Sequence, residues 1–315
     1  MERPRIGLAL GAGGTRGTAH VGVLKVLSEA GVPIDCVAGA SIGALYGASF
    51  ALGRDFRRIE HNIRRTSPRD VLRFFRHRLT IGAQSPLGER FHRALAGVRF
   101  EDLKIPFAVV ASDVLRREPV FIREGEVLAA VQASISLPVL ARPVRWGDRY
   151  LLDGGYWEPA PVSAARALGA ERVIAVVLGE LTHPGQMSAR RRLWVRRLTA
   201  LADRCARRTA GGGKPPGLLA SIAFYLYTRT EVPPPTSEAD VVIRPRVAHL
   251  NANSPFHMQV SLRRGEEAAR EALPRIEEML RESGVGLAAG TLEPWSDESR
   301  FRRPALRFSS TYIHL

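Results

Sequence analysis

The chain has 315 residues, 45% hydrophobic and 24% charged, so it can bury a sizeable core as one large domain or two modest ones, and wholesale disorder is excluded. Forty-six Lys+Arg against 31 Asp+Glu give a formal +15, and every basic residue except Lys25, Lys104 and Lys214 is arginine. Such a balance points to nucleic acid, an anionic membrane or acidic ligands, or simply to arginine-rich codon usage; composition does not choose among them.

In chain order, Arg5–Leu10 is a short apolar run that stops at Gly11 and reads as a buried strand. It has neither the apolar length nor the cleavage site of a signal peptide. A glycine-rich loop follows, and then Thr18–Ala30, with Val21, Leu24 and Leu27 on one face and Gly31 and Pro33 as stop signals, is a predicted helix. Cys36–Ala38 is a second strand and Ile42–Leu52 a second helix. Arg54–Arg78 is basic and helix-prone, with nine arginines against three acids. Ile105–Ala111 and Arg172–Leu178 read as further buried strands, and strands separated by helices imply a mostly parallel sheet covered on both faces. Between them, Gly147-Asp148 joins Val144–Trp146 to Arg149–Leu152 as a two-residue hairpin. Arg190–Lys214 has nine basic residues against Asp203 alone. It ends in three glycines, with Pro233-Pro234-Pro235 soon after, the composition of a linker or surface excursion. Asp240–Ile243 and Met258–Arg281 resume strand and helix, and the last thirty residues have no clear period. Cys36 and Cys205 offer no disulfide framework and no metal-ligand spacing. The apolar stretch Leu218–Tyr227 is about half of a membrane span. The expectation is a cytoplasmic protein, with or without peripheral contact at the inner membrane face.

Three turns carry chemistry. Gly11-Ala12-Gly13-Gly14-Thr15-Arg16-Gly17 lies between strand and helix, where backbone N–H groups and a helix N-terminus can hold a phosphate or an oxyanion. It fits neither the dinucleotide fingerprint nor the phosphate loop, and a plain tight turn is the simpler alternative. Gly39-Ala40-Ser41-Ile42-Gly43, again between strand and helix, has the form of a nucleophile elbow; the alternative is a serine N-cap. A serine needs a base. His249 or His257 with an aspartate would make a triad, although one strand–helix unit before Ser41 is early for an α/β-hydrolase. Asp153, leaving the hairpin into Gly154-Gly155, is the other candidate, against the reading of a simple turn.

Taken together, these three motifs resemble the patatin-like phospholipase family, and Ala133-Ser134-Ile135-Ser136-Leu137-Pro138 resembles a fourth block of it. The resemblance covers roughly residues 5–182, and Ser254–Ala272 is similar to the tail of the bacterial, neuropathy-target-esterase-like branch. It implies a three-layer α/β/α fold with a mostly parallel central sheet. It also implies a Ser–Asp dyad without histidine: Ser41 as nucleophile, Asp153 as proton acceptor, and Gly11, Gly13, Gly14 and Arg16 at the oxyanion hole. Gly39, Gly43, Gly154 and Gly155 shape the elbow and the Asp turn. An aspartate of ordinary pKa, about 3.9, is ionised at neutral pH and ready to accept a proton. The function implied is a serine acyl-ester hydrolase of phospholipase A or lysophospholipase type, acting on phospholipid or lysophospholipid, with no metal and no organic cofactor. An acyltransferase on the same dyad is the near alternative.

A basic membrane- or nucleic-acid-binding protein with an incidental hydrolase site is the alternative of another class. With no aromatic-interleaved basic motif, nucleic acid is not the expected partner; an anionic membrane meeting Arg54–Arg78 and Arg190–Lys214 is. In Arg190–Lys214 the alternative is a core-facing stripe with a solvated arginine face. The chain accordingly divides into a catalytic core at 1–182, an arginine-rich insert and linker at 183–238, the remainder of the catalytic domain at 239–283, and a C-terminal extension at 284–315 of unassigned role.

Overall fold

The computed structural model describes residues 3–53, 59–61, 63, 65–76, 81, 86–138, 140–158, 160–179, 218–228, 239–252 and 254–284, with isolated positions at 193, 197 and 200. Most of Arg190–Lys214, part of Arg54–Arg78, and the extension beyond 284 therefore lie outside the described residues. The strands are β1 (Ile6–Leu10), β2 (Cys36–Ala40), β3 (Phe107–Asp113), β4 (Glu118–Ile122), β5 (Val144–Trp146), β6 (Arg149–Asp153), β7 (Arg172–Val176) and β8 (Val241–Ile243). The helices are α1 (Thr18–Glu29), α2 (Ile42–Ala51), α3 (Pro68–Arg76), α4 (Pro86–Leu95), α5 (Val127–Ser134), α6 (Val162–Ala167), α7 (Leu218–Thr228) and α8 (Met258–Glu282).

These strands form one sheet. β8, β7, β1, β2 and β3 are successive parallel neighbours; β4 and β6 join β3 antiparallel, and β5 joins β6. Every residue of β1, β2 and β3 is buried, which explains why they read as continuous apolar runs and not as alternating ones. Side-chain alternation still divides them. Ile6, Leu8 and Leu10, with Val37, Val109 and Ala111, pack under α1, α2, α5 and α8. Ala9, Cys36, Ala38, Ala40, Ala108 and Val110 face the other way, onto Val162, Ala164 and Ala165 of α6. Helices on both sides of a central sheet give the three-layer α/β/α arrangement. β8 and α8 complete the same layers: β8 extends the sheet beyond β7, and α8 packs along α1.

Two differences from the sequence expectation bear on the site. β2 continues to Ala40, two residues past the expected end, and so delivers the chain directly to Ser41. β3 runs to Asp113, where its last residues serve a second partner. The strand β4 and the helices α4, α5 and α6 are not among the elements expected from the sequence and emerge only in the fold.

Candidate active site

The site forms where two strands meet end to end. β2 pairs with β3 through Val110 (opposite Ala40), and β6 pairs with β3 from Ala111 (opposite Asp153) to Asp113. β4 pairs with all of Val109 to Asp113, so it takes one edge of β3 while β2 and β6 share the other. β2 runs parallel to β3 and β6 antiparallel, so their C-terminal ends point at each other. The residues that leave them, Ser41 and Asp153, therefore come together although 112 positions separate them.

Ser41 sits at φ 56°, ψ −127°, one of two non-glycine residues with positive φ among those described. The turn is sharp because α2 starts immediately behind it. A Cβ on Gly43 would lie 2.1 Å from the Leu10 carbonyl oxygen, and one on Gly39 2.5 Å from the Cα of Ala44. Strain of this kind costs about 1–3 kcal/mol and persists only where the surroundings over-determine it. Here the Ser41 N–H donates to Ser134 Oγ (2.8 Å), whose hydroxyl donates to the Val110 carbonyl (2.6 Å) at the junction of the two strands.

Ser41 Oγ donates to Asp153 Oδ2 at 2.6 Å, with 7% and 2% of the two residues exposed. The other carboxylate oxygen accepts the Gly155 N–H at 2.7 Å. Burial pushes the Asp153 carboxyl up to about 6, against the lowering effect of those two hydrogen bonds. The ordinary value expected from the sequence does not hold, because water is excluded around the group. The Asp153 backbone is fixed at both polar atoms: its N–H donates to the Ser136 carbonyl, and its carbonyl accepts Ser112 Oγ, which in turn accepts the Trp157 indole N–H. Gly154 and Gly155 follow with no room for side chains; a Cβ on Gly154 would fall 2.0 Å from the Val110 oxygen, and one on Gly155 2.2 Å from the Cβ of Ala12.

The glycine loop faces this pair. Gly11 N–H donates to the Val176 carbonyl and Thr15 N–H to the Ala252 carbonyl. Between them, the amides of Ala12, Gly13 and Gly14 have no acceptor among the described residues. The Gly11 amide is thus taken up by the fold, and the free donors begin one residue later than the sequence suggests. Arg16 donates to the Gly13 and Ala248 carbonyls, so it braces the loop from beside Gly179. Thr15 Oγ lies 2.9 Å from both the Ala252 and the Ser254 carbonyl oxygens, between which its single proton is shared, tying the loop to the segment that enters α8.

Sequence reasoning missed the two hydroxyl-bearing positions of the fourth block as scaffolding. Ser134 holds the amide of Ser41, and the Ser136 carbonyl holds that of Asp153. Neither His249 nor His257 hydrogen-bonds Ser41 or Asp153 among the described residues; His257 instead occupies the N-cap position of α8, without a side-chain capping hydrogen bond. No group of three or more His, Cys, Asp and Glu suited to a metal ion occurs among the described residues.

A model of the patatin-like phospholipase family matches residues 8–166, the span from β1 through the loop, the elbow and the Asp turn into α6. The chain belongs to that family. It is 34% identical over 178 residues to an NTE family protein of Mycobacterium tuberculosis, covering 56% of this chain and 49% of that one. It is also 34% identical over 182 residues to lysophospholipase NTE1 of Chaetomium globosum, covering 56% of this chain and 12% of that one. The chain spans about half the length of the first and far less of the second. The crystal structure of VipD from Legionella pneumophila is similar over 87% of this chain and 67% of that one, at 14% identity and a TM-score of 0.49.

Proposed function

We propose that this patatin-like protein is a serine acyl-ester hydrolase of phospholipase A or lysophospholipase type, with Ser41 as nucleophile and Asp153 as base. The observation that carries the reading is the 2.6 Å hydrogen bond from a hydroxyl on a strained elbow to a buried carboxylate. The family match and the lysophospholipase name of one relative support a lipid ester as substrate.

Ser41 Oγ attacks the ester carbonyl carbon as its proton passes to Asp153 Oδ2. The carbonyl electrons move onto oxygen, which the free amides of Ala12, Gly13 and Gly14 would hold; one such donor is worth ~2.7–4 kcal/mol in the transition state. When the carbonyl re-forms, the C–O bond to the alcohol breaks and the alcohol leaves with the proton from Asp153. A water then loses its proton to the same carboxylate, attacks the acyl-enzyme and releases the fatty acid, and Ser41 recovers its proton. A carboxyl raised to about 6 is a better base than a free aspartate and remains largely ionised at neutral pH.

The test uses three variants. Ser41→Ala and Asp153→Asn are each expected to abolish ester hydrolysis in a folded protein, while His257→Ala retains it. An active Asp153→Asn beside an inactive His257→Ala would replace the dyad by a triad. Release of transesterified product in the presence of glycerol would assign a transacylase to the same residues.

The same reading extends to the surface. Within Arg54–Arg78, α3 buries Val71 and Phe74 and exposes Arg69, Leu72 and Arg73, and the adjoining turn exposes 73% of Phe256. Arginines flanking exposed apolar side chains fit an anionic bilayer, at ~1 kcal/mol per basic residue near the surface. Equal flotation with neutral and anionic vesicles would overturn electrostatic docking.

A further inference from the structure

His20 lies in the first turns of α1, fully buried, and takes no part in the cycle above. Its Nε2 is 2.7 Å from the Gly11 carbonyl oxygen. A carbonyl only accepts, so Nε2 carries the proton and Nδ1 holds a lone pair. That Nδ1 is buried without any hydrogen-bond partner. A leucine or methionine would fill this position in α1 without burying an unsatisfied nitrogen, so packing alone does not account for an imidazole here.

The glycine loop does account for it. The described peptide bonds are all trans, and a trans peptide points its C=O and its N–H in opposite directions. The Gly11 carbonyl and the Ala12 N–H belong to one peptide plane. Holding the carbonyl against His20 in the interior turns the Ala12 amide outward, and that amide has no acceptor among the described residues. The same logic repeats two residues on. Arg16 Nε donates to the Gly13 carbonyl, and the Gly14 amide of that plane is likewise without an acceptor. A Cβ on Gly43 would come within 2.7 Å of the Gly11 oxygen, so the elbow closes over the contact and keeps water from replacing His20.

We propose that His20 is a positioning residue of the oxyanion loop: its Nε2–H locks the Gly11–Ala12 peptide plane so that the Ala12 N–H faces the reacting carbonyl. Burial holds the imidazole neutral, its pKa lowered to about 4, which keeps a second charge away from the loop. The inference rests on the hydrolase reading above and adds a residue that touches neither substrate nor Ser41.

The test exploits reach. A glutamine amide nitrogen stands as many bonds from Cβ as Nε2 does, whereas an asparagine amide nitrogen stands where Nδ1 does. On a soluble p-nitrophenyl ester, His20→Gln is expected to keep kcat within ~3-fold, and His20→Asn to lower kcat ~10–100-fold with KM nearly unchanged, part of the 10²–10³ lost with a whole oxyanion donor. Equal losses in the two variants, or a loss carried by KM, would overturn the proposal. Imidazole ¹⁵N NMR of the unmodified full chain does not depend on variant folding. A protonated Nε2 and an unprotonated Nδ1 are expected, with the Ala12 amide proton shifting when Ser41 is phosphonylated; an Nδ1–H tautomer or an unmoved Ala12 amide would refute the lock. Should the unmodified chain lack esterase activity and reject the phosphonate, the hydrolase reading itself fails. The tautomer would still report separately on the His20–Gly11 contact.

Discussion

As the proposed base, Asp153 has to be ionised to accept a proton yet is 2% exposed, and its pKa of about 6 expresses that conflict. Two predictions follow at this one residue. Activity should rise with pH along a limb centred near 6, about two units above a free aspartate, because only the carboxylate accepts the Ser41 proton; a pH–rate profile of kcat/KM reads it. The folded chain retains this proton up to about pH 6, whereas the unfolded chain releases it near 4. The group therefore favours the folded state below about 4, and that contribution is lost as pH rises through 6. Replacing Asp153 by Asn should accordingly raise stability at neutral pH by on the order of 1–3 kcal/mol, seen as a higher Tm in an inactive protein. Ser41 supplies a parallel case. Its positive φ strains any L-residue, so Ser41→Gly should melt above Ser41→Ala, the difference being about 1 kcal/mol or more. The elbow at Ser41 was legible in Gly39-Ala40-Ser41-Ile42-Gly43 between strand and helix, but the shift at Asp153 was not, because in the sequence it reads as an aspartate of ordinary pKa. Burial and backbone strain both arise from contacts made far along the chain.

At the scale of elements, legibility depended on how local the signal was. β1, α1, β2 and α2 could be read because each apolar run ends at a glycine or proline, and the β5–β6 hairpin because Gly147 supplies the φ of +59° that its turn requires. That β2 and β6 abut on one edge of β3 could not be read, since register between distant strands leaves no mark in either. The role of Ser134 was hidden for the same reason: a serine ending a helix has no periodic signature. Its hydroxyl serves two buried backbone groups, so Ser134→Ala should destabilise by about 1–3 kcal/mol. It should also slow phosphonate labelling of Ser41, because the elbow loses its only described anchor at the Ser41 amide. The crossing of α1 and α8 offers a sharper contrast. Gly→Ala inside a helix normally gains ~1 kcal/mol, but a Cβ on Gly265 would lie 2.0 Å from the Ala19 oxygen. The clash is with backbone, so overpacking wins, and Gly265→Ala should lower stability by ~1–3 kcal/mol in denaturant titrations.

Across the whole molecule, fourteen of the fifteen net positive charges fall within Arg54–Arg78 and Arg190–Lys214, so the rest of the chain is nearly balanced. The chemistry proposed above uses glycine turns and two buried side chains, and none of the arginines of those two stretches. None of the described helices is long and apolar enough to cross a membrane. Binding to anionic vesicles should weaken as salt shortens the Debye length from about 10 Å at 0.1 M towards 3 Å at 1 M, and sedimentation with vesicles at several salt concentrations measures it. Turnover of a short soluble ester should be indifferent to the same change.

The central claim is that Ser41 is an activated nucleophile paired with Asp153. It is tested most directly by reacting the full chain with a fluorophosphonate and locating the adduct by peptide mass spectrometry. A single adduct on Ser41, strongly reduced in Asp153→Asn, is the predicted result. An adduct on another residue, no adduct, or undiminished labelling of Asp153→Asn would contradict it.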